Sequence, residues 1–179
     1  MRDHTSWGAT EAECHLSYPC DQHISQPYDS HHRAIDVAAP VPLAFRWLCQ
    51  LKVSAYTYGR QGRSPRTLTP GVERLAVGQR FLAFDLVEFE ENRHLTGVTY
   101  PAARRRYGQI AITYQVEPRG ENASRYVVRL NSARRKGVGR PLGDLLATGD
   151  GFMMRKQLQT LKALAERDAA GAQMQEGDG

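Results

Sequence analysis

Long apolar runs are missing from this sequence. No stretch of about eighteen such residues occurs, which leaves no candidate for a membrane-crossing helix and no membrane insertion to expect. The first residues carry no apolar core of the secretory kind, so a cytoplasmic protein is expected. Cysteine is scarce too: three residues, an odd number, make no disulfide framework, and the fold must rest on its own core. A chain of 179 residues can do this as one domain with tails, because a core of roughly 150 residues buries about two-thirds of its unfolded surface. The formal charge of +5 and pI near 9.3 are basic without being extreme. Chemistry-bearing motifs are thin. No Ser-His-Asp set can be assembled, and Gly59-Arg-Gln-Gly-Arg63 lacks the order, spacing and following helix of a phosphate-binding loop. Cys14, His15, Cys20 and His23 are the residue types that bind zinc. Cys14-x5-Cys20 is not a zinc-knuckle spacing, however, and no second cysteine pair follows, so neither metal nor cofactor is expected.

What the chain does carry is periodicity. Met154, Leu158, Leu161 and Ala165 recur at helical spacing between Asp150 and Arg167, with Phe152 and Leu164 widening the stripe. Asp150 is placed to cap this helix, and Arg167 to sit where the helix dipole favours a cation. The rod of roughly 27 Å is long enough to lie across a curved sheet. Upstream, residues 142–148 read as a short helix, and Gly149 and Gly151 either separate the two helices or admit a close approach. Residues 32–38 read as the first strand, ended by Pro40 and Pro42. Leu43, Trp47, Leu48 and Leu51 then mark an amphipathic helix, with Cys49 as a small buried hydrophobe. Residues 80–90 form one strand candidate whose apolar parity flips near Asp85–Val87, which predicts a bulge. Three further strands follow at 94–100, 110–116 and 126–130, joined by short connections.

Strand, helix, run of strands and long terminal helix make an α+β plan, with the helices gathered on one face of an antiparallel sheet. Residues 1–30 lack periodicity and are expected as an irregular, loosely packed or disordered extension. The domain is expected over 31–167, and 168–179 as a disordered tail. Arg104-Arg-Arg106 and Arg134-Arg-Lys136 motivate a nucleic-acid reading, but both fall in predicted connections without aromatic partners or a helix-turn-helix. They read as solvated loop ends, and no nucleic acid is expected as a partner.

Ala-Ile-Asp-Val-Ala-Ala-Pro40, Trp47-Leu48, Ala55-Tyr-Thr-Tyr58, Ser64-Pro65, Leu75-Ala-Val-Gly-Gln79, Phe89-Glu-Glu and His94-Leu-Thr occur in an order that resembles the SRPBCC (START-like, polyketide cyclase-like) helix-grip superfamily. Thr148-Gly-Asp-Gly-Phe-Met-Met-Arg-Lys-Gln-Leu158 is similar to the terminal helix of an uncharacterised branch of it. The resemblance spans residues 31–167. It implies a curved antiparallel sheet wrapped around the C-terminal helix, short helices after the first strand, and a deep cavity between sheet and helix. Relatives bind lipids, sterols, polyketides or hormones there, and some are cyclases or hydrolases. Relatives of this branch carry Asp and Trp after a Tyr-Ser-Tyr-like segment, where this chain has Gly59-Arg60.

For such a cavity the candidate lining is Tyr56, Tyr58, Phe84, Tyr100, Tyr114, Phe152 and Met153, apolar walls with a few hydroxyls. Tyr56 and Tyr58 stand first because residues two apart share a face in an extended segment. Asp85 joins them because it interrupts an apolar strand, although a solvent-facing carboxylate at a bulge is the favoured explanation of it. An enzyme would draw its acid, base or donor from His94, Asp85, Tyr56 and Arg129, none of which forms a dyad in sequence; His94 reads as a surface residue. A cyclase built this way would stabilise an enolate with tyrosine and arginine donors. Binding of a small hydrophobic or amphipathic ligand asks for less and ranks first. The sequence leaves catalysis, ligand identity and oligomeric state open.

Overall fold

The computed structural model describes residues 6–57, 64–134 and 140–177, with the backbone alone over 140–152 and 176–177. In chain order the elements are β1 (Ser6–Trp7), α1 (Glu11–His15), a 3-10 turn (Pro19–His23), β2 (Tyr28–Val37), α2 (Val41–Cys49), a second 3-10 turn (Gln50–Lys52), β3 (Arg80–Phe81) and β4 (Phe84–Glu90). They continue with β5 (His94–Thr99), α3 (Pro101–Tyr107), β6 (Ile110–Pro118), β7 (Ser124–Ala133) and α4 (Arg140–Gly177). The strands form one sheet in the order β1-β2-β7-β6-β5-β4-β3. Every neighbouring pair is antiparallel except β1 with β2.

Alternation of β-branched and aromatic residues decides which face each side chain takes. Ile112, Tyr114 and Val116 of β6, and Tyr126, Val128 and Leu130 of β7, share one core with Phe45, Trp47 and Leu48 of α2. The stripe Leu158, Leu161, Leu164, Ala165 and Ala169 of α4 closes that core; each buried leucine contributes roughly 1.5–3 kcal/mol. Trp47 Nε1 donates to Asp168 Oδ2 at 3.1 Å and fastens α2 to α4. The result is the α+β helix-grip arrangement, a sheet holding a long C-terminal helix. Among the described residues no helix is long and apolar enough to cross a membrane.

Several expectations need correction. Residues 80–90 are a tight hairpin rather than one strand: Arg80 faces Asp85 and Phe81 faces Phe84, with Leu82 turning the chain at a φ of 53°. The bulge is present, as a register shift between Leu86 and Glu88. The terminal helix does not begin at Asp150 or stop at Arg167. It runs unbroken from Arg140 through Gly149 and Gly151 to Gly177, so the tail expected from 168 is helical for ten more residues. The good helix formers Ala, Gln and Glu carry it there, and Ala169 is still buried. Arg104, Arg105 and Arg106 lie in α3 rather than in a connection, and all three are exposed. Arg135 and Lys136 lie outside the described residues.

The largest departure is the N-terminal segment, which packs across the outer face of the sheet, opposite α4. Tyr18 and Cys20 are buried with Ala34, Ala111 and Val127. Thr10 and Glu13 form a capping box, Thr10 Oγ1 accepting from Glu13 N at 3.2 Å and Glu13 Oε2 from Thr10 N at 2.7 Å. The same Glu13 carboxylate, 5% exposed, takes Arg125 Nε at 2.6 Å and Arg125 Nη2 at 3.0 Å. Arg125 also reaches Asp36 at 2.8 Å and the Gly8 carbonyl at 2.7 Å. Cys20 N donates to Thr113 Oγ1 at 3.0 Å, and Asn131 Nδ2 donates to Asp21 Oδ1 at 2.7 Å. Polar groups hold this segment, which is why no apolar period announces it.

Candidate functional site

Tyr56 is the residue around which the site is arranged. It leaves the turn after α2 with a φ of 54°, a left-handed backbone rare for an aromatic residue. Its ring stands edge-on to Trp47, with centroids 6.3 Å apart. Its hydroxyl donates to the Pro65 carbonyl at 2.7 Å, and burial raises the pKa of the phenol. The segment from 64 onward is pinned to the helices. Ser64 Oγ lies 2.6 Å from Ser54 Oγ, and the Arg66 carbonyl accepts from Arg167 Nη2 at 2.6 Å. Gln50, fully buried, clasps Thr69 at both ends of its amide, at 2.9 and 3.1 Å.

Between this segment and α4 opens a cleft of about 260 Å³ lined by Tyr56, Ser64, Arg66, Lys156, Gln159, Thr160, Ala163 and Leu164. Its floor is Tyr56 and Leu164, both buried, and its rim carries two cations and several hydroxyl and amide groups. A second groove, larger at about 580 Å³ but more open, lies at the other side of α4, where Lys162, Glu166, Asp36 and Arg125 pair among themselves or with backbone.

Beneath the cleft Tyr114, 2% exposed, donates its hydroxyl to Gln157 Oε1 at 2.7 Å, and Gln157 Nε2 donates to the Ala55 carbonyl at 2.7 Å. This relay ties the middle of the sheet to α4 and to the residue before Tyr56. Tyr114→Phe strands the Gln157 oxygen in the core and is expected to cost about 1–2 kcal/mol, read as a lowered thermal midpoint with an unchanged far-ultraviolet spectrum.

The sequence candidates divide into groups. Tyr56, Tyr114 and Phe84 share the helix-side core, the last two linked by Phe81, whose ring lies 5.7 Å from Phe84 and 6.3 Å from Tyr114. Asp85 and Tyr100 sit apart, gathered by Arg80, which pairs with Asp85 at 3.5 Å and lies 4.2 Å over the Tyr100 ring. Met153 is 45% exposed. Tyr58, Gly59, Arg60 and the Phe152 side chain lie outside the described residues. The acid-base candidates do not converge. His94 is not a surface residue but 5% exposed under the N-terminal segment, where burial lowers its pKa and Glu88 lies 3.8 Å away. Arg129 is on that outer face too, 2.9 Å from Asp21. The zinc-type residues scatter: Cys20 is inside, His15 is exposed, and His23 pairs with Glu88 at 3.2 Å.

Gln157, Arg66 and Lys156 escaped sequence reasoning. A signal existed for Gln157. It stands four and seven residues before Leu161 and Leu164, a polar side chain within the buried stripe of a helix.

No family model and no curated protein matches this chain by sequence. Its fold has clear counterparts among solved structures. A Mesorhizobium loti protein is 15% identical with a TM-score of 0.53, covering 78% of this chain and 98% of that one. A protein from Arthrobacter aurescens is 14% identical with a TM-score of 0.52, covering 80% and 93%. StfQ, a di-domain aromatase/cyclase from the steffimycin biosynthetic pathway, is 14% identical with a TM-score of 0.54 over 80% of this chain. This chain spans 52% of StfQ, about half its length. At such identities the likeness establishes the fold alone, the helix-grip arrangement of sheet and C-terminal helix described above.

Proposed function

We propose that this protein binds a small hydrophobic or amphipathic ligand against α4, in the space bounded by Tyr56 and the 64–66 segment, and does so as a cytoplasmic binding protein. The observation that carries this reading is the cleft itself. An apolar floor, a polar rim and a backbone pinned on both sides are what a preformed small-molecule site requires. Its volume of about 260 Å³ lies just under the usual range of about 300–1,000 Å³, which favours a compact ligand.

A cyclase-type activity is the second reading, favoured by the presence of Arg66, Lys156 and Tyr56 in one lining, donor types that stabilise an enolate. Against it, the Tyr56 hydroxyl is already committed to the Pro65 carbonyl, and His94, Asp85 and Arg129 lie elsewhere. Native mass spectrometry of protein purified from its own host separates the two readings. A stoichiometric compound supports binding; a compound altered only by the wild-type chain supports catalysis. Ala163→Trp places an indole in the cleft from an exposed helix position. It is expected to abolish ligand retention while leaving the unfolding free energy within about 0.5 kcal/mol of wild type.

A further inference from the structure

We propose that the α3 end of the sheet docks on an anionic membrane surface, its arginines against lipid headgroups, without crossing the bilayer. Strand register gives the sheet two ends: the β4–β5 and β6–β7 turns close one, while α3, the β3–β4 turn and the end of β7 lie at the other. That second end carries Arg80, Arg134 and the three α3 arginines, Arg104, Arg105 and Arg106, all exposed. Arg80 pairs with Asp85 at 3.5 Å and Arg134 with Asp29 at 2.7 Å. Among the described residues the α3 arginines have no carboxylate partner; Arg106 lies 5.4 Å over the ring of Tyr107, itself 43% exposed. The helix dipole favours a cation in the last turn, but successive residues rotate by about 100°, so the three guanidiniums fan around α3 instead of converging on one point. Cations spread beside an exposed tyrosine match a flat array of anionic headgroups. The opposite end of the sheet is acidic. Glu90 and Glu91 stand at the β4–β5 turn and Glu117 and Glu121 at the β6–β7 turn, where Arg93 and Arg119 are already paired with Glu90 and Glu117. Positive charge is therefore segregated, and a negative plane attracts one end while repelling the other, which selects one orientation. A nucleic-acid strand asks instead for a cationic groove with stacking rings. Six of the seven α3 residues are exposed, Ala103 alone being buried, and neither groove described above is lined by any of them.

Cosedimentation of the full chain with vesicles tests this, comparing pure phosphatidylcholine with a mixture holding about 30% phosphatidylserine. Wild type is expected to sediment with the mixed vesicles alone and to be released as the salt rises. Arg104→Gln, Arg105→Gln and Arg106→Gln combined should weaken the binding about 100-fold, at about fivefold for each arginine. Lysine at the same three positions should retain it, because headgroup attraction reads charge; this variant also separates lost charge from a disturbed α3. Glu90→Gln with Glu91→Gln, at the far end, should leave binding unchanged or tighten it. Equal sedimentation with both vesicle types, no sedimentation with either, or full binding by the glutamine variant overturns the inference. So does capture of a single-stranded oligonucleotide by wild type in place of the vesicles, which would make the partner a nucleic acid.

Discussion

Glu13→Gln is expected to lower the unfolding free energy by about 3 kcal/mol at pH 7, the lower end of what breaking a buried ion pair costs. The lower end applies because Asp36 and the Gly8 carbonyl still hold Arg125. Burial would raise the Glu13 pKa, but the Arg125 guanidinium and the Thr10 N–H outweigh it and bring it from 4.5 to about 2. A carboxyl shifted this way contributes stability that is whole above pH 4.5 and is lost as the pH falls toward 2. His32 acts in a higher window. Burial and the Arg129 guanidinium push it from 6.5 to about 4, so its contribution is whole above pH 6.5 and is lost as the pH falls toward 4. Urea midpoints across the acid range should therefore fall in two overlapping steps for wild type. Glu13→Gln should keep the upper one and lose most of the lower, since Glu73, which is also held below the usual carboxylate range, remains. A variant that matches wild type at pH 7, or whose lower step is undiminished, would contradict the buried pair as the fastening of the N-terminal segment.

Gly97→Val is expected to cost about 3 kcal/mol, the upper part of the range for overpacking a filled core. A Cβ at this position would sit 2.6 Å from Phe81 Cε1 and 2.8 Å from both Phe81 Cζ and Phe84 Cβ. The Phe84 atom cannot swing away, since it is attached to a strand paired with β5. The Phe81 ring is wedged between Phe84 and Tyr114. Relief would have to come from displacement of the β3–β4 hairpin. Gly171, on α4 with nothing within 4 Å, is the internal contrast. Gly171→Ala should be neutral or stabilise by about 0.5–1 kcal/mol. Equal chemical midpoints for the two variants would refute the close approach at Gly97.

The legible parts of the fold were those in which one face meets apolar core and the other does not. Ile110 to Val116 and Tyr126 to Leu130 alternate for that reason, and the bulge near Val87 followed from a parity flip. The hairpin at Leu82 was hidden because a non-glycine residue makes the turn and the apolar spacing continues through it. The ends of α4 were misread because Asp150 and Arg167 are good terminal residues that here lie inside a longer helix. The N-terminal segment was missed because hydrogen bonds and ion pairs hold it, and these leave no period. The Thr10-x-x-Glu13 capping box was its one readable sign. Of the candidate cleft, Tyr56 was among the sequence candidates, whereas Arg66, Lys156 and Gln157 come near it only through the packing of the segment from 64 onward against α4, which no local pattern encodes.

The pairing of β1 with β2 has a consequence for solubility. β2 is ten residues long, and past β7 its outer edge would offer a row of unpaired N–H and C=O groups to any passing strand. Ser6 and Trp7 occupy that edge beside His32 and Arg33. The chain then departs at Gly8, so close to the Ala34 carbonyl that a Cβ would lie 2.1 Å from its oxygen. The N-terminal segment thereby interrupts that edge at its middle, shortening the template on which intermolecular sheets grow. Loosening the Glu13–Arg125 fastening, by acid included, is expected to lengthen the exposed edge of β2 and to raise the tendency to aggregate, read as light scattering against pH.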